Sequence, residues 1–127
     1  MLCLDTSSVI AYLQGDRGHD VDLADQALAD AVGVVSPITV AELLSDPHLR
    51  PAVRRIILEL PTLSIAEGYW ERAGLLRAKV LRTGSKARLA DTLIAQNCLD
   101  HKATLVTRDR DFKIFQQRAG LHVLIGP

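Results

Sequence analysis

The sequence predicts an α/β fold, a three-layer αβα domain with a mostly parallel central sheet. Short apolar runs alternate with longer amphipathic segments along the whole chain. Strands that alternate with helices pair in parallel through right-handed crossovers. The core should be aliphatic, because 48% of the residues are hydrophobic but only 4% are aromatic. No linker, repeat or low-complexity stretch divides the chain, so we expect one domain over residues 1–127.

Each element is predicted from a local pattern. Ser36 before Pro37 is typical of a helix N-cap followed by proline at the first helical position. The longest helix carries an apolar stripe that we expect to face the core, formed by Ala66, Trp70, Ala73, Leu76 and Val80. In chain order the prediction is strand 2–4, helix 6–14, turn 15–18, helix 20–31, strand 33–35, helix 37–46, helix 49–59, extended segment 61–65, helix 66–82, a break at Gly84, helix 89–101, strand 104–106, helix 112–118 and strand 122–125.

Charge is distributed unevenly, although the 15 basic and 15 acidic residues balance. The zero net charge argues against nucleic-acid binding through bulk charge. Residues 1–49 are nevertheless acidic, with Arg17 as their one Lys or Arg, whereas residues 50–88 are mainly basic. We predict phosphate contacts for a basic set on helix 66–82 and the segment after it, namely Arg72, Lys79, Arg82, Lys86 and Arg88. The alternative for this set is a solvated helix surface.

The cysteines, the apolar runs and the catalytic motifs that are missing limit the cellular compartment and the classes of enzyme that fit this sequence. Cys3 and Cys98 fall at apolar positions and are interpreted as small buried hydrophobic residues in a reducing compartment. Asp5 interrupts any signal-peptide apolar region, and no apolar run reaches membrane-spanning length, so we expect a cytoplasmic protein. The histidines show no ligand spacing, and there is no Ser-His-Asp arrangement, P-loop or GxGxxG motif.

Four carboxylates recur at the junctions between predicted elements. Asp5 ends the first strand, and Asp109 follows strand 104–106. Glu42 and Asp91 lie early in helices that follow other parts of the sheet. The carboxyl ends of parallel strands share one edge, so these side chains can line one cleft. Oxygen ligands of this kind favour Mg²⁺ or Mn²⁺, which can activate water against a phosphodiester.

Other polar residues have two open interpretations. Ser7 and Thr107 can contact a phosphate or orient a carboxylate, and ordinary capping is the alternative. Asp111 is either an outer ligand or the N-cap of the following helix, and we favour the cap. The remaining acids of the N-terminal segment are expected to coat a solvated helix face, and these are Asp16, Asp20, Asp22, Asp25 and Asp30.

Four motifs in register resemble the PIN-domain ribonucleases, and most closely the VapC-type toxins of type II toxin–antitoxin pairs. They are Asp5-Thr6-Ser7-Ser8-Val9, Thr39-Val40-Ala41-Glu42-Leu43, Leu89-Ala90-Asp91-Thr92-Leu93-Ile94-Ala95 and Leu105-Val106-Thr107-Arg108-Asp109-Arg110-Asp111-Phe112. Each motif is weak alone, but their order and spacing agree over nearly the whole chain. Lys86-Ala87-Arg88 departs from the pattern, because apolar or proline-containing sequence is more usual before the third motif.

The resemblance implies an RNase-H-like αβα fold and Mg²⁺- or Mn²⁺-dependent endoribonuclease activity. It carries the metal-binding, catalytic role onto Asp5, Glu42, Asp91 and Asp109, with a supporting hydroxyl from Thr6 or Ser7. It also implies a homodimer and a small antitoxin whose C-terminal segment enters the active-site groove. Surplus apolar positions on helices 20–31, 37–46 and 49–59 agree with a self-association or partner surface.

Two other functions stay open at this point. A haloacid-dehalogenase-type phosphohydrolase also uses an Asp after its first strand, but it usually has a second Asp two residues later, where this chain has Ser7. A non-catalytic PIN-like module that binds proteins is the other alternative. The presence of all four carboxylates argues against loss of catalysis.

Overall fold

The central sheet consists of four strands, all parallel. The computed structural model describes residues 1–127, and its strands are β1 (Leu2–Leu4), β2 (Gly33–Val34), β3 (Thr104–Thr107) and β4 (Val123–Ile125). They lie in the order β2-β1-β3-β4. Leu2 of β1 is paired with Gly33 on one side and with Thr104 on the other. The predicted α/β fold is therefore confirmed.

Helices cover both faces of the sheet. They are α1 (Thr6–Leu13), α2 (His19–Ala29), α3 (Pro37–Leu44), α4 (Pro51–Glu59), α5 (Tyr69–Arg82), α6 (Leu89–His101) and α7 (Lys113–Ala119). Side chains alternate along a strand, so neighbours on β1 face opposite layers. Cys3 belongs to the apolar cluster that includes α5, α6 and α7 residues. Leu4 belongs to the cluster that includes residues of α1 to α4. Two cores on opposite faces give the three layers.

The buried stripe of α5 differs from the prediction at one position. Trp70, predicted to be a core residue, is 63% exposed, whereas Tyr69 is fully buried. The Tyr69 hydroxyl donates a hydrogen bond to the Leu93 carbonyl of α6. The ring can therefore be buried without leaving its hydroxyl unpaired. The helix also begins at Tyr69 and not at residue 66, because Gly68 adopts a left-handed conformation just before it.

Asp20 contradicts the predicted solvated face of α2. Its side chain is 1% exposed, whereas Asp16, Asp22, Asp25 and Asp30 are exposed as expected. The Asp20 carboxylate accepts hydrogen bonds from Ser8 Oγ at 2.9 Å and from Arg108 Nε at 2.7 Å. Although burial acts in the opposite direction, these two donors hold the pKa of Asp20 below its usual value. This ion pair joins the start of α2 to the loop after β3.

Smaller differences concern the ends of elements. A 3₁₀ turn over Arg110–Phe112 precedes α7, so the helix predicted from residue 112 begins at Lys113. Val35 lies outside β2 and forms an isolated parallel bridge with Thr62. No helix in the fold combines the length and apolar composition that crossing a bilayer requires.

Candidate active site

The four predicted carboxylates meet at the carboxyl-terminal edge of the sheet. Asp5 directly follows β1, and Asp109 follows the neighbouring strand β3 by two residues. Glu42 comes from α3 on one face of the sheet and Asp91 from α6 on the other. The negative charges of Asp109, Asp5 and Glu42 all act on Asp91. Four separate elements therefore contribute one acid each to a single cleft.

Two hydroxyl groups orient Asp5. One carboxylate oxygen, Oδ2, accepts hydrogen bonds from Thr107 Oγ1 at 2.7 Å and from Ser7 Oγ at 2.8 Å. The side chain is only 4% exposed. Burial raises the pKa of Asp5 above its ordinary value, and the hydrogen bonds from Thr107 and Ser7 offset part of this increase. Of the interpretations open for Ser7 and Thr107, the one found in this structure is orientation of a carboxylate.

The same hydroxyls also hold the loop that carries Asp109. Ser7 Oγ accepts a hydrogen bond from the Arg108 amide at 3.0 Å, and Thr107 Oγ1 accepts one from the Asp109 amide at 2.9 Å. A hydroxyl can donate one bond while accepting others, so each group links Asp5 to this loop. The positions of Asp5 and Asp109 are thus coupled through backbone and side-chain hydrogen bonds.

Glu42 is held by a hydroxyl from the first motif. Thr6 Oγ1 donates to Glu42 Oε1 at 2.7 Å, although the carboxylate itself is exposed. Thr39, one turn before Glu42 on α3, is fully buried and lies 3.4 Å from Thr6 between the two hydroxyl oxygens. The start of α1 therefore positions both Asp5, through Ser7, and Glu42, through Thr6.

Asp91 shows the strongest electrostatic effect in the cleft. Burial, together with the negative charges of Asp109, Asp5 and Glu42, raises its pKa to about 6. The nearby Arg88 guanidinium acts in the opposite direction but does not cancel this effect. Like charges that cannot separate favour a protonated acid or a bound cation.

Asp111 is not the N-cap that we predicted. Phe112 occupies the N-cap position of α7. Asp109 instead caps the preceding 3₁₀ turn by accepting the Asp111 amide at 2.9 Å. One carboxylate oxygen from each of Asp91, Asp109 and Asp111 lies within 4.8 Å of the others. Asp111 therefore belongs to the acidic cluster, and its spacing of two residues from Asp109 was the available signal.

The donor set of the cleft fits a hard divalent cation. All of these side chains offer carboxylate oxygens, the ligands that Mg²⁺ and Mn²⁺ prefer. The chain forms two ion pairs, Arg72–Asp100 and Arg108–Asp20, and neither includes a carboxylate of the cleft. Because clustered and partly buried carboxylates without a cationic partner are unfavourable, a bound metal ion would relieve their repulsion.

The predicted basic set divides into three groups. Lys86 and Arg88 line a cavity of about 260 Å³ that also includes Asp91 and Asp111. Lys79 and Arg82 are exposed on α5 outside this cavity. Arg72 binds Asp100 through two hydrogen bonds, Nε to Oδ1 at 3.0 Å and Nη2 to Oδ2 at 2.6 Å.

Arg72 also lies far from the acidic cluster along α6. Its partner Asp100 is nine residues beyond Asp91, which corresponds to roughly 13.5 Å of helix. Its guanidinium makes a further hydrogen bond to the Glu67 carbonyl at 2.7 Å. The structure therefore places Arg72 in an interhelical ion pair at the other end of α6, away from the cleft.

Sequence reasoning missed two arginines beside the site. Arg108 anchors the loop after β3 through Asp20 and through the Arg17 carbonyl. Arg110 lines the cavity beside Asp111. Both flank Asp109 in the fourth motif, but local sequence carries no signal that separates an anchoring arginine from a solvated one.

Solved structures with a similar fold include VapBC proteins, FitAcB and a toxin–antitoxin complex. A chain of VapBC2 from Rickettsia felis, solved bound to a promoter DNA fragment, is 22% identical, with a TM-score of 0.74 and coverage of 98% of this chain and 97% of that one. A chain of FitAcB from Neisseria gonorrhoeae is 25% identical, with a TM-score of 0.71 and coverage of 98% and 96%. A chain of a toxin–antitoxin complex from Klebsiella pneumoniae is 25% identical, with a TM-score of 0.66 and coverage of 98% of this chain and 96% of that one.

Family membership follows from the sequence match, which agrees with the geometry. Comparison with curated proteins finds no significant match. A family model described as PIN domain matches residues 2–117, which is most of the chain. Since this match covers strands β1 to β3 and all four carboxylates of the cleft, the protein belongs to the PIN domain family, whose members are generally nucleases.

Proposed function

We propose that the protein is a metal-dependent endoribonuclease and the VapC-type toxin of a toxin–antitoxin pair. One observation carries the proposal. Asp5, Glu42, Asp91 and Asp109 come from four different elements and converge in one cleft without a cationic side chain to pair with them. Similarity in fold to chains of toxin–antitoxin complexes supports the toxin assignment.

The four carboxylates would hold Mg²⁺ or Mn²⁺, with Asp111 at the exposed side of the cluster. When bound there, such an ion supplies activation of water and stabilisation of charge on a phosphodiester. The protein contributes fixed ligand positions. Ser7 and Thr107 hold Asp5, and Thr6 holds Glu42, so little reorganisation is needed on binding.

RNA would reach this centre along the basic side of the cleft. Lys86 and Arg88 line the cavity beside Asp91, and Lys79 and Arg82 extend the path along α5. Contacts of this kind bind phosphates without reading sequence. Arg72 is the weakest member of the set, because Asp100 already binds its guanidinium.

An apolar groove beside Glu42 suits the antitoxin. Its cavity of about 320 Å³ lies between α1, α3 and α4. Ile10, Leu13 and Val53 are among its apolar lining residues, and Glu42 and Asp46 are its acids. An amphipathic segment could bury apolar side chains there while a basic side chain reaches Glu42 in the metal cleft.

We also propose a cytoplasmic homodimer. Apolar side chains remain exposed on α4, at Ile56 and Leu58, and on α5, at Trp70 and Leu75. Exposed apolar surface of this kind marks self-association in many proteins. The two free, buried cysteines and an RNA substrate agree with a reducing cytoplasm.

Replacing Asp91 with Asn should stabilise the metal-free protein at neutral pH. The raised pKa of Asp91 means that the folded state binds more protons than the unfolded state between about pH 4 and 6, so its stability falls as pH rises through 6. Asp91→Asn should increase the free energy of unfolding at pH 7.5 by about 1–2 kcal/mol. It should also remove most of the stabilisation by Mg²⁺. Urea unfolding in EDTA and in Mg²⁺ measures the free energy of unfolding and its increase on metal binding. Asp22→Asn, at an exposed position, is the control.

Cleavage of single-stranded RNA should require both Mg²⁺ and the acidic cluster. EDTA should abolish cleavage, and Asp5→Asn should reduce it by more than about a hundredfold, because even changes next to metal ligands cost 10–100-fold. Denaturing gels of a labelled RNA give the rate, with Asp22→Asn as the matched control. Full cleavage by the Asp5→Asn, Asp91→Asn double variant would contradict the assignment as a metal-dependent endoribonuclease. Phosphate release from a small ester, without RNA cleavage, would favour a phosphohydrolase.

The antitoxin should inhibit through the apolar groove and in competition with Mg²⁺. We expect Ile10→Arg to weaken inhibition without loss of RNA cleavage, because Ile10 is exposed and lines the groove. Leu124→Arg, with similar exposure on β4, is the control. Inhibition by a candidate antitoxin is measured over a series of Mg²⁺ and salt concentrations, and high salt should weaken it. Equal inhibition at every Mg²⁺ concentration would contradict competition with the metal.

Light scattering after size exclusion should give twice the chain mass of 13.9 kDa at tens of micromolar. Burial of exposed apolar side chains on one of these two helices, α4 or α5, is the physical reason for association. Dilution should shift the mass towards the monomer, because association depends on protein concentration. A monomer throughout this range would contradict the homodimer.

A further inference from the structure

The cavity beside the acidic cluster contains three cationic side chains. Its charged lining residues are Lys86, Arg88 and Arg110, with Asp91 and Asp111 on the side of the carboxylates. The remaining lining comes from Ser85, Ala87, Ile114 and Phe115. The cations come from two separate segments, the loop before α6 and the 3₁₀ turn before α7. The fold therefore brings them together at a cleft that borders the candidate metal ligands.

None of the three cations forms an ion pair in the protein, although the positive charge of Arg88 acts on nearby Asp91. Both ion pairs of the chain use other arginines, Arg72 and Arg108. Lys86, Arg88 and Arg110 are all exposed, so their donors remain available to a ligand. A divalent cation on the neighbouring carboxylates would neutralise much of the negative charge on this side. The cavity would then carry a net positive charge that suits an anion.

The shape and lining indicate which anion fits. A volume of about 260 Å³ is below the roughly 300–1,000 Å³ of pockets that enclose whole small ligands. Phe115 is 1% exposed, so its ring offers no face on which a base could stack. Ile114 is half-buried and provides a small apolar wall suited to a ribose. The cleft therefore suits one phosphodiester with its sugar, and no base-specific contact.

We propose that Arg110 completes, with Lys86 and Arg88, a subsite that holds the phosphodiester next to the one that is cleaved. This inference rests on the proposed ribonuclease function and adds Arg110 as a substrate-positioning residue. Bidentate donors and a permanent charge make arginine well suited to a phosphate. Binding at this subsite would set the register of the RNA against the metal ligands without selecting its sequence.

The test compares Arg110→Gln and Arg110→Lys with wild type and with Arg118→Gln, a matched control on exposed α7. The substrate is a fluorogenic pool of random-sequence RNA hexamers in Mg²⁺. We expect Arg110→Gln to raise KM about tenfold while kcat changes less than about twofold. Anisotropy of a labelled hexamer should show a similar rise in Kd when it is measured in Mg²⁺, with Asp5→Asn in every protein compared so that the hexamer is not cleaved. Its salt slope should become shallower by about 0.7, and Arg110→Lys should largely restore the slope.

The outcomes separate this inference from the proposed function. Wild type that cleaves the pool, with Arg110→Gln indistinguishable from Arg118→Gln, overturns the subsite alone. A fall in kcat with unchanged KM also overturns it, because Arg110 would then act on the chemical step. Wild type that neither binds nor cleaves RNA overturns the proposed function and the subsite together. The rise in melting temperature with Mg²⁺ should stay unchanged in Arg110→Gln, and its loss would assign Arg110 to the metal centre instead.

Discussion

The hydrogen bonds of the Asp5 carboxylate are the interaction on which the rest of the site depends. Ser7 Oγ and Thr107 Oγ1 both donate to Asp5 Oδ2, and the same hydroxyls accept the amides of Arg108 and Asp109. This small network joins the end of β1, the start of α1 and the loop after β3. A buried carboxylate is unfavourable without such donors. Because the network satisfies Asp5 and positions Asp109 at once, the fold can gather acids at one edge of the sheet.

Repulsion among the carboxylates is balanced by favourable contacts outside the cleft. The pair between buried Asp20 and half-buried Arg108 anchors the loop that carries Asp109. Gly126 packs so closely on Asp20 that a Cβ there would lie 2.5 Å from Asp20 Oδ1, which explains the need for glycine. These contacts hold the loop and the C-terminal segment in place, and so keep the acids of the cleft close together despite their mutual repulsion. The raised pKa of Asp91 is the remaining sign of that repulsion.

Charge on the cleft is organised in two adjacent parts. One part consists of the carboxylates of Asp5, Glu42, Asp91 and Asp109. The other consists of the cationic side chains that line the cavity, Lys86, Arg88 and Arg110. This arrangement would place the proposed metal site beside the proposed phosphate site, with Asp91 bordering both. The net charge of zero hides this organisation, because opposite charges are segregated in space. Arg72, which is remote from the cleft, instead forms an interhelical ion pair with Asp100.

The sequence by itself determined the parallel αβα layout and the convergence of the four carboxylates. Alternation of strands and helices leaves few topologies, and the ends of parallel strands must meet at one edge. It did not determine which neighbouring aromatic residue of α5 is buried, because Tyr69 and Trp70 both fit the periodicity. In the tertiary structure Tyr69 is the buried residue, because its hydroxyl donates a hydrogen bond to the Leu93 carbonyl of α6. Asp20 and Arg108 are likewise separated by 88 residues, and no local pattern reports a pairing across that distance. Burial and partner choice depend on what packs against a residue, and only the assembled fold supplies that neighbour.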